Sequence, residues 1–156
     1  MEELIAYRTE LLTQLQAVVE KISQAVTYQP NNAWHTSSTS GGHTRHYIVF
    51  HLRALDAQFF IPQLVRILDE DTPDISIFDD EAWMAAHYSV EEPVSGILEE
   101  IAKLRQQELR WLRNLSGEGW SRTARHPWWG LHALQWWVEL QLDCSFQHLK
   151  SLSPTV

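Results

Sequence analysis

The chain has 156 residues, 44% of them apolar, and a formal charge of −8, which suits one domain around one hydrophobic core. An anionic surface repels phosphate backbones, and Arg105, Arg110 and Arg113 are interleaved with Glu99, Glu100 and Glu108 as on a solvated helix face, so nucleic-acid binding is not expected. One cysteine leaves no intrachain disulfide, the opening MEELIAYRTELL is acidic where a secretory leader is basic, and no apolar run has the length of a membrane span, so a cytoplasmic protein with no membrane partner is expected.

The first predicted element is a helix from Glu2 to Val26. Leu4, Leu11, Leu15, Val18 and Ile22 form one apolar stripe, and Ile5, Leu12, Val19 and Val26 a second beside it, the wide face of a core-facing helix. Tyr28 to Gly42 reads as a loop, with Pro30, a Ser/Thr run and paired glycines. Thr44 is placed to cap a second helix that carries Ile48, Leu52, Leu55 and Phe59 inward and ends near Leu68. Pro62 lies inside it and predicts a kink near Gln58. Asp69 to Pro93 is a long connector with seven acids up to Glu81 and a short helix over Asp79 to His87. Its acids lack the spacing and central Gly of a calcium loop.

A third helix is predicted from Val94 to Leu115, with Ile97, Ile101, Leu104, Trp111 and Leu115 inward. The loop GWSRTARHPWWG follows, and a fourth helix covers Leu131 to Leu152. No segment reads as a strand. Four helices of this length predict an all-α antiparallel four-helix bundle spanning residues 1–156 as one domain. Trp128-Trp129 and Trp136-Trp137 cannot each face inward at adjacent positions, so one of each pair should face a loop or a partner chain.

The fourth helix keeps core spacing while turning polar: Leu134, Trp137, Gln141, Cys144, His148. Cys144 and His148 are four apart and share a face. On the second helix His51 lies three after Ile48 and four before Leu55, so it too points inward. A buried His and a buried Cys are commonly plain core residues. A thiolate and imidazoles brought together can equally hold one metal ion. Parallel helices would keep the trio apart, whereas antiparallel second and fourth helices bring it level. That requires an up-down-down-up bundle with a long crossover between helices two and three, and the Asp69–Pro93 connector supplies the crossover.

The ordered segments GHTRHYIVFHLRALDAQFF, IPQLVRILDEDTPDISIFDDEAWMAAHY, R-x-x-E-L-x-W-L-R-x-L, W-S-R-x-x-x-H-P-x-x-G and CSFQHL resemble the DinB/YfiT-like superfamily of bacterial proteins over about 110 residues. The resemblance implies an up-down-down-up bundle, often a homodimer. It also implies a divalent metal, typically zinc or nickel, on three His ligands, with thiol-dependent transfer or isomerisation in some members and metal-dependent hydrolysis in others. His51 matches the ligand of the second helix and His148 the last ligand. Cys144 stands where the family has its remaining His. Cys is itself a zinc ligand, so the site can be retained as His51, Cys144 and His148, retained through another ligand, or lost.

Three protein ligands leave an open position, where bound water becomes acidic enough to attack an ester or amide, or where a low-molecular-weight thiol is activated. The expected partner is accordingly a small-molecule substrate, with a thiol as a further candidate. The alternative is a metal-free, non-catalytic dimeric bundle. The topology places Trp34, His35, His43, His87 and Tyr88 near the trio, with His35 or His43 as a substitute ligand, acid or base. His46 should point elsewhere, and Arg125, His126 and Trp128 are expected at the opposite end, about 25 to 30 Å away.

Overall fold

In the computed structural model, residues 1–27 and 42–152 are described. Helix α1 (Glu2–Thr27) carries Glu2 and Glu3 in its first turn, where the helix dipole favours acids. It buries Leu11, Leu12, Leu15, Val18, Ile22 and Val26. Leu4 and Ile5, expected inside, are 41% and 59% exposed. Tyr7 and Arg8 already reach Glu139 and Gln135 at the start of the last helix, so residues before them overhang the core.

Thr44 caps α2 (Arg45–Leu55) by accepting from the Tyr47 backbone N–H. The helix then runs through a π-helical turn (Asp56–Phe60) into α3 (Ile61–Asp69). The irregularity near Gln58 therefore takes the form of a π turn, closed by Ile61 N–H donating to Asp56 O five residues back. Pro62 sits in the first turn of α3, where a missing N–H is tolerated. The crossover carries α4 (Asp80–His87), capped by Asp79 through the Ala82 N–H.

Next come α5 (Val94–Arg113), a single-turn α6 (Gly117–Trp120), a hairpin of β1 (Thr123–His126) and β2 (Gly130–Ala133), and α7 (Leu134–Leu152). The hairpin is a correction to the strand-free reading. Its strands pair from Thr123↔Ala133 to His126↔Gly130, and Gly130 has φ +80°, a left-handed conformation that closes the three-residue loop. The crossover is stitched to it: Ile75 N–H donates to Arg125 O and Arg125 N–H to Pro73 O.

Helix directions follow from the pairs across them. His51 meets His148, and Asp56 meets Gln141, so α2 and α7 are antiparallel. Arg53 reaches Glu100 and Asp56 reaches Arg105, so α2 and α5 are parallel. Tyr7 and Arg8 against Glu139 and Gln135 make α1 and α7 parallel. The bundle is up-down-down-up, and the crossover through α4 is what permits it. Among the described residues no helix is long and apolar enough to cross a membrane.

Candidate metal centre and its cavity

The α2/α7 register brings two imidazoles face to face. His51 Nδ1 lies 2.9 Å from His148 Nε2. Each ring's other nitrogen meets an oxygen that only accepts: His51 Nε2–H donates to Asp80 Oδ2 at 2.7 Å, and His148 Nδ1–H donates to the Cys144 carbonyl at 2.8 Å. Two neutral rings so bonded present a lone pair each along the 2.9 Å line, which a shared cation must fill. The donor set fits a divalent metal. Tetrahedral ligation by two imidazoles needs about 3.3 Å between the nitrogens, and carboxylate and carbonyl acceptors behind the rings are the usual orienting partners.

Cys144 is near but differently placed. Its Sγ lies 3.7 Å from His148 Nδ1, the nitrogen turned away from His51. Burial beside the Asp56 carboxylate pushes the thiol up to about 12. Burial also lowers the pKa of His148, with the neighbouring His51 adding to it. Among the described residues, no three His, Cys, Asp or Glu side chains already converge as a metal-ligating set.

Asp80 was not singled out by sequence reasoning. It is the first residue of α4, and the acid-rich crossover that ends in a helix facing His51 is the pattern that marks it. Trp34 and His35 lie outside the described residues. His43 is exposed and stacks on Tyr47, which stacks in turn on His51. His87 is exposed and stacks on Trp83, with Nδ1–H donating to the Trp83 carbonyl. Tyr88 bonds His46 Nδ1, and His46 Nε2 meets Glu92 O, so His46 faces away from the pair as expected.

The loop after α5 is the largest correction. His126, Trp128 and Trp129 line one cavity of about 270 Å³ with Asp80 and Cys144, closed by Leu55, Phe59, Phe60, Ile77, Phe78 and Leu140. They are not at the far end of the bundle. The bridge between crossover and β1 folds the loop back over the α2/α7 groove.

A second correction concerns Arg105 and Glu108, read as part of a solvated face. They are 2% and 1% exposed. Arg105 donates to Asp56 Oδ2 at 2.9 Å, to Ser145 Oγ at 3.0 Å and to Leu15 O at 2.9 Å. Gln141 Nε2 donates to both Asp56 and Glu108. One guanidinium neutralises one carboxylate, Asp56, so burial raises Glu108 to about 8. Asp56 follows buried Val49 and Leu52 at helical spacing, and the π turn that begins at it carries Phe59 against the cavity.

An up-down-down-up bundle with a histidine pair joined across α2 and α7, under an aromatic cavity, defines a recognisable class. Its fold is that of the DinB/YfiT-like superfamily, as a solved structure shows. It is similar over 93% of its length to YfiT from Bacillus subtilis, of which it covers 83%, at 25% identity and a TM-score of 0.83. YfiT is described as a probable metal-dependent hydrolase with an unusual four-helix bundle topology. No family model and no curated protein matches the sequence.

Proposed function

We propose that the protein is a metal-dependent enzyme, a hydrolase of small molecules. In this reading His51 Nδ1 and His148 Nε2 hold a divalent metal, zinc or nickel, and Cys144 is the third protein donor. The observation that carries it is the facing lone-pair geometry at 2.9 Å, and the likeness to YfiT supports it. Bound there, a divalent metal supplies Lewis acidity and a nucleophile at neutral pH. The chain's own residues do the positioning. Asp80 takes the His51 Nε2–H and fixes the lone pair on Nδ1, and the Cys144 carbonyl does the same for His148. Phe59, Phe78 and Leu140 give the adjoining cavity an apolar wall.

The test is the metal content of untagged protein prepared without chelator. About one equivalent of zinc or nickel, lost in His148→Ala, is expected for a site of this kind. Below about a tenth of an equivalent, unchanged after adding either metal, the reading fails. The metal-free bundle is the second reading. A proton shared between His51 and His148 also fills the facing lone pairs, and the Cys144 sulfur sits on the outer edge of the His148 ring.

A further inference from the structure

The cavity has a chemistry of its own. Its walls are aliphatic and aromatic, and Asp80 is the one charged side chain lining it. A carboxylate with no facing cation repels anions, and the apolar walls disfavour a charge of either sign, so the occupant is uncharged. The volume, about 270 Å³, compares with a cavity of about 150 Å³ that accepts benzene, so about a dozen non-hydrogen atoms fit. Phe59 anchors an aromatic frame: its ring centroid is 6.3 Å from Phe78, near-parallel, and 6.3 Å from Trp129, edge-on.

One wall residue remains half-used. His126 is 3% exposed. Its Nδ1 accepts from the backbone N–H of Trp128 at 3.1 Å and of Trp129 at 3.3 Å, and Trp129 stacks on the ring at 4.0 Å. With Nδ1 accepting, the neutral ring carries its proton on Nε2. That N–H makes no hydrogen bond among the described residues and is not sealed off from the space around it, so it can donate to a molecule in the cavity. The hairpin loop thus fixes a neutral imidazole as a donor in an otherwise apolar wall.

We infer that the cavity binds a small uncharged aromatic carbonyl compound, one ring in size, whose ring lies among Phe59, Phe78 and Trp129 and whose oxygen accepts from His126 Nε2–H. The inference deepens the proposed function and rests on it in one respect: the ligand is the substrate only if the histidine pair is the reaction centre.

The probes are benzamide, benzoate and ethylbenzene, read by tryptophan fluorescence and calorimetry on chelator-treated protein and again after adding zinc. Benzamide binds saturably in both states, and benzoate at least about tenfold more weakly to the chelator-treated protein. His126→Phe weakens benzamide about fivefold and leaves ethylbenzene within about twofold. Benzoate binding the chelator-treated protein as tightly as benzamide overturns the inference. So does the absence of saturable benzamide binding, or an equal loss of both neutral ligands in a folded His126→Phe variant. If that variant does not fold, Leu140→Trp decides: it fills the cavity, and retained benzamide affinity overturns the inference. Benzamide binding without zinc uptake would sink the metalloenzyme reading alone, and zinc uptake without benzamide binding would sink this one alone.

Discussion

Two polar clusters sit on the same helices of this bundle, less than two turns apart, and they are built on opposite principles. Around Arg105, both Asp56 oxygens are bonded, Gln141 ties Asp56 to Glu108, and Ser145 and Leu15 take further guanidinium protons. Cation, carboxylate and protonated carboxyl close on one another, with Arg105 Nε, 3.6 Å from Glu108 Oε2, the one loose contact. At His51 and His148, the outer nitrogens are satisfied and the inner ones face each other with lone pairs. A closed network holds a fold together, whereas an incomplete one beside a cavity is equipped to take something up.

The contrast breaks most sharply at Arg105. Arg105→Met removes the only cation from two buried carboxyls, and losing one partner of a buried ion pair costs about 3–5 kcal/mol. For a domain of this size the thermal midpoint should fall by roughly 10 °C or more. His148→Ala opens a half-buried position already next to the cavity and should cost about 1 kcal/mol or less beyond lost packing. Calorimetry of the two variants side by side measures the difference. Equal losses would mean that the histidine pair is as structural as the arginine network.

A second prediction uses the proton on Glu108. Its folded value, about 8, lies above the ordinary carboxyl value in the unfolded chain. The native state therefore holds a proton that the unfolded state releases. That contribution is fully present below the unfolded pKa, about 4.3, and is lost progressively as pH rises to about 8, by at most about 1.4 kcal/mol per pH unit. Glu108→Gln keeps a neutral side chain at every pH and should flatten the slope of unfolding free energy over that window. An unchanged slope in urea titrations at pH 5, 6.5 and 8 would place the proton elsewhere in the network.

How these clusters appear in the sequence is uneven, for physical reasons. The bundle was legible because its helices carry apolar stripes and its crossover is too long for a simple hairpin connection. His51, Cys144 and His148 stood out as polar residues at core spacing, and antiparallel α2 and α7 follow from bringing them level. Arg105 and Glu108 also keep core spacing with Ile97, Ile101 and Leu112, yet charge made them read as surface. Their burial depends on Asp56, which lies seven after buried Val49 and four after buried Leu52, and a charged residue at core spacing declares its buried partner only once the helices are docked. The cavity loop was misplaced because its position is set by backbone pairing of Pro73 and Ile75 with Arg125, a contact between segments about fifty residues apart that side-chain periodicity does not encode. Asp80 became visible only once α4 was docked on α2.

A third prediction sharpens the open cluster without touching the closed one. Asp80→Asn removes the carboxylate behind His51, and its amide can donate to Nε2, which favours the other tautomer and moves the proton to Nδ1. Such orienting partners are worth about 10–100-fold in metal affinity. Zinc affinity by competition with a chromogenic chelator should drop by that factor, with the thermal midpoint of the metal-free protein unchanged. Asp80→Glu should recover part of the loss. A fall in stability equal to the fall in affinity would make Asp80 a packing contact of α4.

The remaining test belongs to Cys144, and the size of its effect decides how the cluster is completed. The sulfur lies against His148 Nδ1, 3.7 Å away, while the proposed metal position lies at Nε2 on the opposite edge. To serve as third donor, Cys144 must turn about its side-chain bond toward that edge and give up its proton. Serine has nearly the same shape but is a far weaker zinc donor. If the thiolate ligates, Cys144→Ser should lower zinc affinity by at least about 100-fold, and a cobalt-substituted parent should show a thiolate charge-transfer band that the variant lacks. If Asp80 or a further side chain completes the set, the change stays within about threefold and the band is absent from both proteins. Cys144→His then gives the opposite reading. A gain of metal over the parent would show that the bundle holds two ligands in place and that cysteine is the one residue keeping its histidine pair unfinished.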